Sequence, residues 1–215
     1  MNKKWFKIAF GLALLTVGYN VIEGIASVWY GVEDDTIALL GFGVDSFVEV
    51  ISGIGILHMM FRIRKHGEVN NRDRFERDAL RITGVAFYLL TAGLVVGSTL
   101  KLWQGYQPDT TVVGIIISSL SVLTMYFLYK YKLKAGKIIE SDAVIADANC
   151  TKSCFYLSFI LLGSSVLYEL FGLPWLDVAG SLGIAWFAFN EGRESFEKAV
   201  SKNLNCSCND KDNNC

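Results

Sequence analysis

The chain has 215 residues, 52% hydrophobic and 13% aromatic, with two prolines and a formal net charge of -1. Long apolar runs alternate with short charged connections, the pattern of an all-α polytopic membrane protein. No basic face stands clear of the membrane-flanking positions, which argues against nucleic acid as a partner. No enzymatic activity and no organic cofactor are expected.

Six apolar runs follow in order: about Ile8 to Tyr30, Ile37 to Met60, Ile82 to Trp103, Val112 to Tyr129, Ala143 to Phe171, and Val178 to Asn190. A helix needs about 20 residues to cross the hydrocarbon of a bilayer at about 1.5 Å of rise each. The sixth run reaches that length only with its flanks, which would set Asp177 and Glu191 near the two interfaces. The first follows Lys3 and Lys4, as a secretory signal would. It is nevertheless read as a span, since it exceeds a signal core and no small-x-small cleavage site follows it.

Basic residues set the expected orientation. Lys3, Lys4 and Lys7 precede span one; Arg62, Arg64, Lys65, Arg72, Arg74, Arg77 and Arg81 fill the second connection; Lys130, Lys132, Lys134 and Lys137 fill the fourth; and Arg193, Lys198, Lys202 and Lys211 follow span six. Both termini are therefore expected in the cytoplasm, with the protein integral to the bilayer of a prokaryotic inner (plasma) membrane. The opposite connections, Glu33-Asp34-Asp35, Gln107-Pro108-Asp109 and Gly172-Leu173-Pro174, hold no Lys or Arg.

Span one carries Asn20 and Glu23 in its outer half, where they either line a path or brace the bundle. Span two carries Asp45 and Glu49, four residues apart and so on one helical face. An acid within a membrane helix costs a few kcal/mol on insertion scales and marks a pathway or a ligand site by default. The competing reading is a structural polar knot. His58, nine residues from Glu49, points to the opposite face and is left out of the site. Gly93 and Gly97 in span three match a helix-packing spacing.

Span five opens Ser141-Asp142-Ala143-Val144-Ile145-Ala146-Asp147 and continues to Cys150 and Cys154, again one face apart by a turn. From Ile37 inward and from Asp142 outward, the acids and the thiols lie about 12 to 18 Å from opposite surfaces. All four are thus expected near the midplane. Two carboxylates and two thiols form a plausible tetrahedral set for Zn2+ or another soft divalent metal. Taken alone, the two thiols also suit simple packing. Lys152 lies about 200° around the helix from Cys150 and is expected to face another neighbour, with Glu23 a candidate. The polar tail holds Cys206, Cys208 and Cys215, a possible capture site for soft metal or a flexible end with incidental thiols.

These features resemble the transmembrane domain of the cation diffusion facilitators, six-span metal/proton antiporters. The resemblance rests on Ala38-Leu39-Leu40 through Asp45-Ser46 and Glu49 to Ser52 in span two, on Ala146-Asp147 in span five, and on Asp177 and Glu191-Gly192 in span six. Family members place a His and an Asp where this chain has Cys150 and Cys154, and normally end in a folded cytoplasmic domain. Residues 1–192 thus form the expected transmembrane domain, and residues 193–215 a short cytoplasmic tail expected to be disordered.

The resemblance implies efflux of divalent transition-metal cations, zinc-like or cadmium-like, with protons as the exchanged ion and a homodimer as the assembly. Thiols hold their protons at neutral pH, so metal binding there must displace them. Two other readings share the same residues: a transport-inactive membrane scaffold or regulator, and a membrane thiol oxidoreductase using Cys150 and Cys154.

Overall fold

A computed structural model describes residues 3–66, 74–105, 108–173 and 175–201. Its helices are α1 (Lys3–Glu33), α2 (Ile37–His66), α3 (Arg74–Gln104), α4 (Val112–Ile139), α5 (Asp142–Phe171) and α6 (Trp175–Val200). They run alternately up and down, so α1 begins and α6 ends at one end of the bundle, called the terminal end here; the other is the far end. The closest packed pairs are α1 with α2, α4 with α5 and α3 with α6.

The helices outrun the apolar segments. They hold 26 to 31 residues, or about 39–46 Å at 1.5 Å per residue, against about 30 Å of hydrocarbon. Arg62, Arg64 and Lys65 lie in α2, Arg74, Arg77 and Arg81 in α3, and Lys130, Lys132, Lys134 and Lys137 in α4, although the sequence suggested connections at these positions. Lys and Arg are good helix formers with apolar stems, so a change in hydropathy does not end the helix. For the same reason α6 continues to Val200, and residues 193–200 leave the expected tail. Cys206, Cys208 and Cys215 lie outside the described residues.

Among the described residues five helices, α1 to α5, are long and apolar enough to cross a membrane. The sixth has the length, but Asp177, Glu191, Arg193 and Glu194 dilute its composition. It packs along α3, and the chain is a polytopic helical membrane protein. Ile22, Leu89, Ile116, Leu120 and Leu170 face outward, as a hydrocarbon solvent requires.

Turns between the helices have local causes. Gly172 adopts φ 61°, a left-handed conformation that closes α5 with its amide donating to Tyr168 O; glycine adopts it without steric cost. Between α1 and α2 the separation is so small that a Cβ on Gly43 would lie 2.7 Å from Val28 N. Gly43→Ala is expected to push the two backbones apart and cost about 1–3 kcal/mol, read as a lowered thermal midpoint in detergent.

Two apolar clusters fill the interior. One joins Leu39, Phe42, Val48, Phe87, Leu94, Leu157 and Leu161 toward the far end. The other joins Phe6, Ala9, Met60, Ile63, Ala135 and Val144 at the terminal end. The polar stretches of α1, α2 and α5 lie between them.

At the far end, carboxylates from late helices satisfy the first amides of earlier ones. Asp177 on α6 accepts from Ile37 N at 3.0 Å and Ala38 N at 3.2 Å, and Glu169 on α5 accepts from Thr111 N at 2.6 Å and the Thr111 hydroxyl at 3.0 Å. A carboxylate suits this place because the opening amides of a helix lack partners and carry partial positive charge. The Ser98 and Ser181 hydroxyls, 2.6 Å apart, the Tyr168 hydroxyl donating to Pro108 O at 2.6 Å, and Lys101 donating to Asp35 O tie the same end together.

Candidate metal-ion site

The centre of the polar layer is a contact between the second and fifth helices. Cys154 Sγ donates to Glu49 Oε2 at 2.6 Å, and Asn20 Nδ2 from α1 donates to the same oxygen at 2.9 Å. Three helices thus fix one carboxylate oxygen. The α1 contribution follows from Asn20 lying on its buried face, with Thr16, Glu23 and Ser27 on neighbouring turns.

Asp45 and Cys150 stand one turn to opposite sides of this contact. Because α2 and α5 run in opposite directions, pairing Glu49 with Cys154 carries Asp45 toward the far end and Cys150 toward the terminal end. Depth counting from the two surfaces puts Glu49 nearer the level of Cys150 instead. The difference lies in the assumed thickness: Glu49 and Cys154 are each twelve residues into their helices, so their meeting sets the two starts about 36 Å apart at 1.5 Å per residue. That exceeds the hydrocarbon thickness by about one helical turn. Among the described residues no group of three or more His, Cys, Asp and Glu lies close enough together to hold an ion.

A cavity of about 50 Å³ reaches this contact from the terminal end, lined by Asn20, Glu49, Asp147, Cys150, Cys154, Glu191 and Lys198 among others. A second, of about 40 Å³, shares Ser52, Ile56, Leu80, Cys150 and Lys198 with it and extends to Met59 and Glu76. Several polar side chains line this corridor, and its volume leaves room for a few waters. It ends at Glu49 and Cys154. Beyond them, toward the far end, lie the apolar cluster and the ties already described.

Some residues in or beside the corridor were not placed in the site by sequence reasoning. Glu191 accepts from Ser153 Oγ at 2.7 Å; it lies nine residues before the end of α6 and lines the cavity rather than an interface. Lys132, expected in a connection, is fully buried in α4, with Nζ 2.9 Å from Asp147 Oδ1 and 3.0 Å from Thr151 Oγ1. Its signal in the sequence was Asp147 itself, an acid on the apolar fifth helix that needed a partner. Lys198 Nζ lies 2.5 Å from Glu194 Oε1.

Two neighbour assignments also change. Lys152 does not pair with Glu23: its ammonium lies 5.6 Å from the Tyr156 ring centre, one turn along the same helix, where a half-exposed cation can rest on an aromatic face. Glu23 instead accepts from Ser46 Oγ at 3.2 Å. His58, set aside on sequence grounds, packs at 4.6 Å on Phe75 and lies 3.5 Å from Glu76 Oε1, with Arg62 3.4 Å from the same oxygen.

Comparison with known proteins agrees with this architecture. The family model described as the cation efflux transmembrane domain matches residues 13–202. An uncharacterized transporter of Methanocaldococcus jannaschii is 22% identical over 80% of this chain and 62% of its own length. The magnetosome protein MamB of Magnetospirillum gryphiswaldense is 25% identical over 55% of this chain and 40% of its own. The manganese efflux system protein MneP of Bacillus subtilis is 22% identical over 90% of this chain and 68% of its own. The chain therefore spans about three fifths of the first relative and two fifths of the second. With six helices in order, acids in the second, ligand-capable residues in the fifth and the domain match across nearly the whole helical region, the chain belongs to the cation efflux family, of which it carries the transmembrane domain.

Proposed function

We propose that this chain moves divalent metal cations out of the cytoplasm in exchange for protons, with Glu49 and Cys154 as the centre that holds the ion and Asp45 and Cys150 as further donors one turn to either side. The observation that carries this reading is the Glu49–Cys154 contact at the closed end of a polar corridor. A cation arriving there meets a carboxylate and a thiol, and displacing the thiol proton lets sulfur bind it. The thiol favours zinc-like and cadmium-like ions over hard ones, while the printed name of one relative refers to manganese.

The basic residues at the terminal end support a cytoplasmic placement of that end, and with that placement the corridor opens inward. Assembly as a homodimer fits the Gly93 face, where an added Cβ would meet nothing within 4 Å. The tail thiols Cys206, Cys208 and Cys215 would serve as a soft-metal capture site on the cytoplasmic side.

The thiol oxidoreductase reading is weaker on geometry. Residues four apart on a helix keep their Cβ atoms about 5–6 Å apart, whereas a disulfide needs about 3.5–4.5 Å. Cys150 and Cys154 could bridge only by breaking α5. The test of transport is uptake of zinc, cadmium and manganese into vesicles holding the purified protein, each with and without an imposed proton gradient. Gradient-dependent uptake lost in Cys154→Ala is the expected result. No uptake of any of the three would replace the transporter with the scaffold reading.

A further inference from the structure

Among the described residues one basic side chain lines the corridor, and the Glu49–Cys154 contact does not use it. Lys198, in the last turn of α6, is 8% exposed and lines both cavities. Glu191 and Ser195 line the larger cavity from the same helix, and spacings of four and three set all three on one face of α6. Lys198 is seven residues beyond Glu191, so it stands about 10 Å nearer the terminal end. It shares the junction of the two cavities with Cys150, whereas Glu49 and Cys154 line only the first. An ion entering from the terminal end therefore passes Lys198 before it reaches Glu49.

Lys198 Nζ is held 2.5 Å from Glu194 Oε1, one turn back on the same helix. Such a pair joins no two helices, unlike Lys132–Asp147, which ties α4 to α5, and a pair within one helix adds little to stability. A lysine this near a helix end could also extend its stem to the water outside the bundle. Instead the side chain is buried against both cavities. The carbonyls that close α6 carry partial negative charge there, and Glu194 and Glu191 add theirs. The same features would attract an incoming divalent ion.

We infer that Lys198 is a tethered competitor of the transported ion: its ammonium, anchored by Glu194, occupies the cation-attracting end of α6 and keeps a divalent ion from settling there, so that the ion passes on to Glu49 and Cys154. A path must bind its ion well enough to admit it and weakly enough to let it leave. Without a resident cation, Glu191 and Glu194 would make the mouth of the corridor a trap. The positive charge also lowers the affinity of the holding contact deeper in. Removing the ammonium therefore tightens cation binding, and removing its anchor, which leaves that charge unbalanced in the corridor, loosens it. This inference rests on the transporter reading and deepens it by naming a residue that sets how tightly the path holds its ion.

The test measures binding rather than flux. Metal-stripped protein in detergent is titrated calorimetrically with Cd2+, for wild type, Lys198→Gln, Glu194→Gln, Arg193→Gln and Cys154→Ala. Lys198→Gln should bind Cd2+ about tenfold more tightly than wild type, and Glu194→Gln several-fold more weakly. Arg193→Gln removes an exposed cation that pairs with Glu197 on the same helix, and it should stay within about twofold of wild type because solvent screens its charge. An ion pair that served stability alone would move both partners' variants the same way, toward weaker binding. Lys198→Gln that binds Cd2+ no more tightly than wild type, while Cys154→Ala loses it, overturns the inference and leaves the transporter reading standing. Unchanged or tighter binding in Glu194→Gln overturns it independently, whether or not the lysine variant folds. A gain in Arg193→Gln equal to that in Lys198→Gln overturns it too, since net charge alone then sets the affinity. Wild-type protein that binds no Cd2+ removes both readings together.

Discussion

Glu49→Ala should abolish cation transport and weaken Cd2+ binding by at least a hundredfold. Among the described residues Glu49 is the carboxylate lining the corridor that hydrogen-bonds a thiol, and its Oε2 collects both Cys154 and Asn20. Outer partners of a metal ligand typically carry tenfold to hundredfold effects of their own, so the ligand should exceed them. Asn20→Ala supplies the comparison: it removes the amide that orients Oε2 and should cost about tenfold in affinity, with the rate at saturating ion largely kept. Titration of Cd2+ and vesicle uptake on the two variants separate these outcomes. Equal losses in Glu49→Ala and Asn20→Ala would show that the pair acts through packing rather than through ion contact.

Lys132→Met should be the most destabilising single substitution among the pairs described here. The ammonium is fully buried and held by Asp147 and Thr151. Removing one partner of a buried ion pair leaves the other charge uncompensated and costs about 3–5 kcal/mol, whereas replacing both by apolar groups of similar size is often neutral. The thermal midpoint in detergent should fall by on the order of 10 °C. Adding Asp147→Leu to Lys132→Met should restore most of the loss. A single variant as stable as wild type would mean that water from the corridor already solvates Asp147.

The sequence carries the architecture well because hydrocarbon demands long apolar helices and leaves few alternatives. The acid pair on α2 stood out for the same reason, since an acid in an apolar run is costly without a partner. Register between helices was not legible. Glu49 facing Cys154 depends on how far each helix continues through its charged flank, which hydropathy does not measure. The same limit hid Lys132 and Glu191, because a basic or acidic residue near the end of an apolar run reads as interfacial while the helix carries it inside. Lys152 failed in another way: its angle around α5 excluded Cys150 correctly, but angle alone could not choose Tyr156 on the next turn over Glu23 on another helix.

The Asp177 link between α6 and α2 makes substitution effects one-sided. Its donors are the main-chain amides of Ile37 and Ala38, which every residue except proline possesses. Side-chain scanning along the start of α2 should therefore be nearly silent for this link, while changes at Asp177 and proline at position 37 or 38 are felt. The side chains at these two positions can vary without breaking the link itself, because the whole of its acceptor side comes from a single side chain of α6.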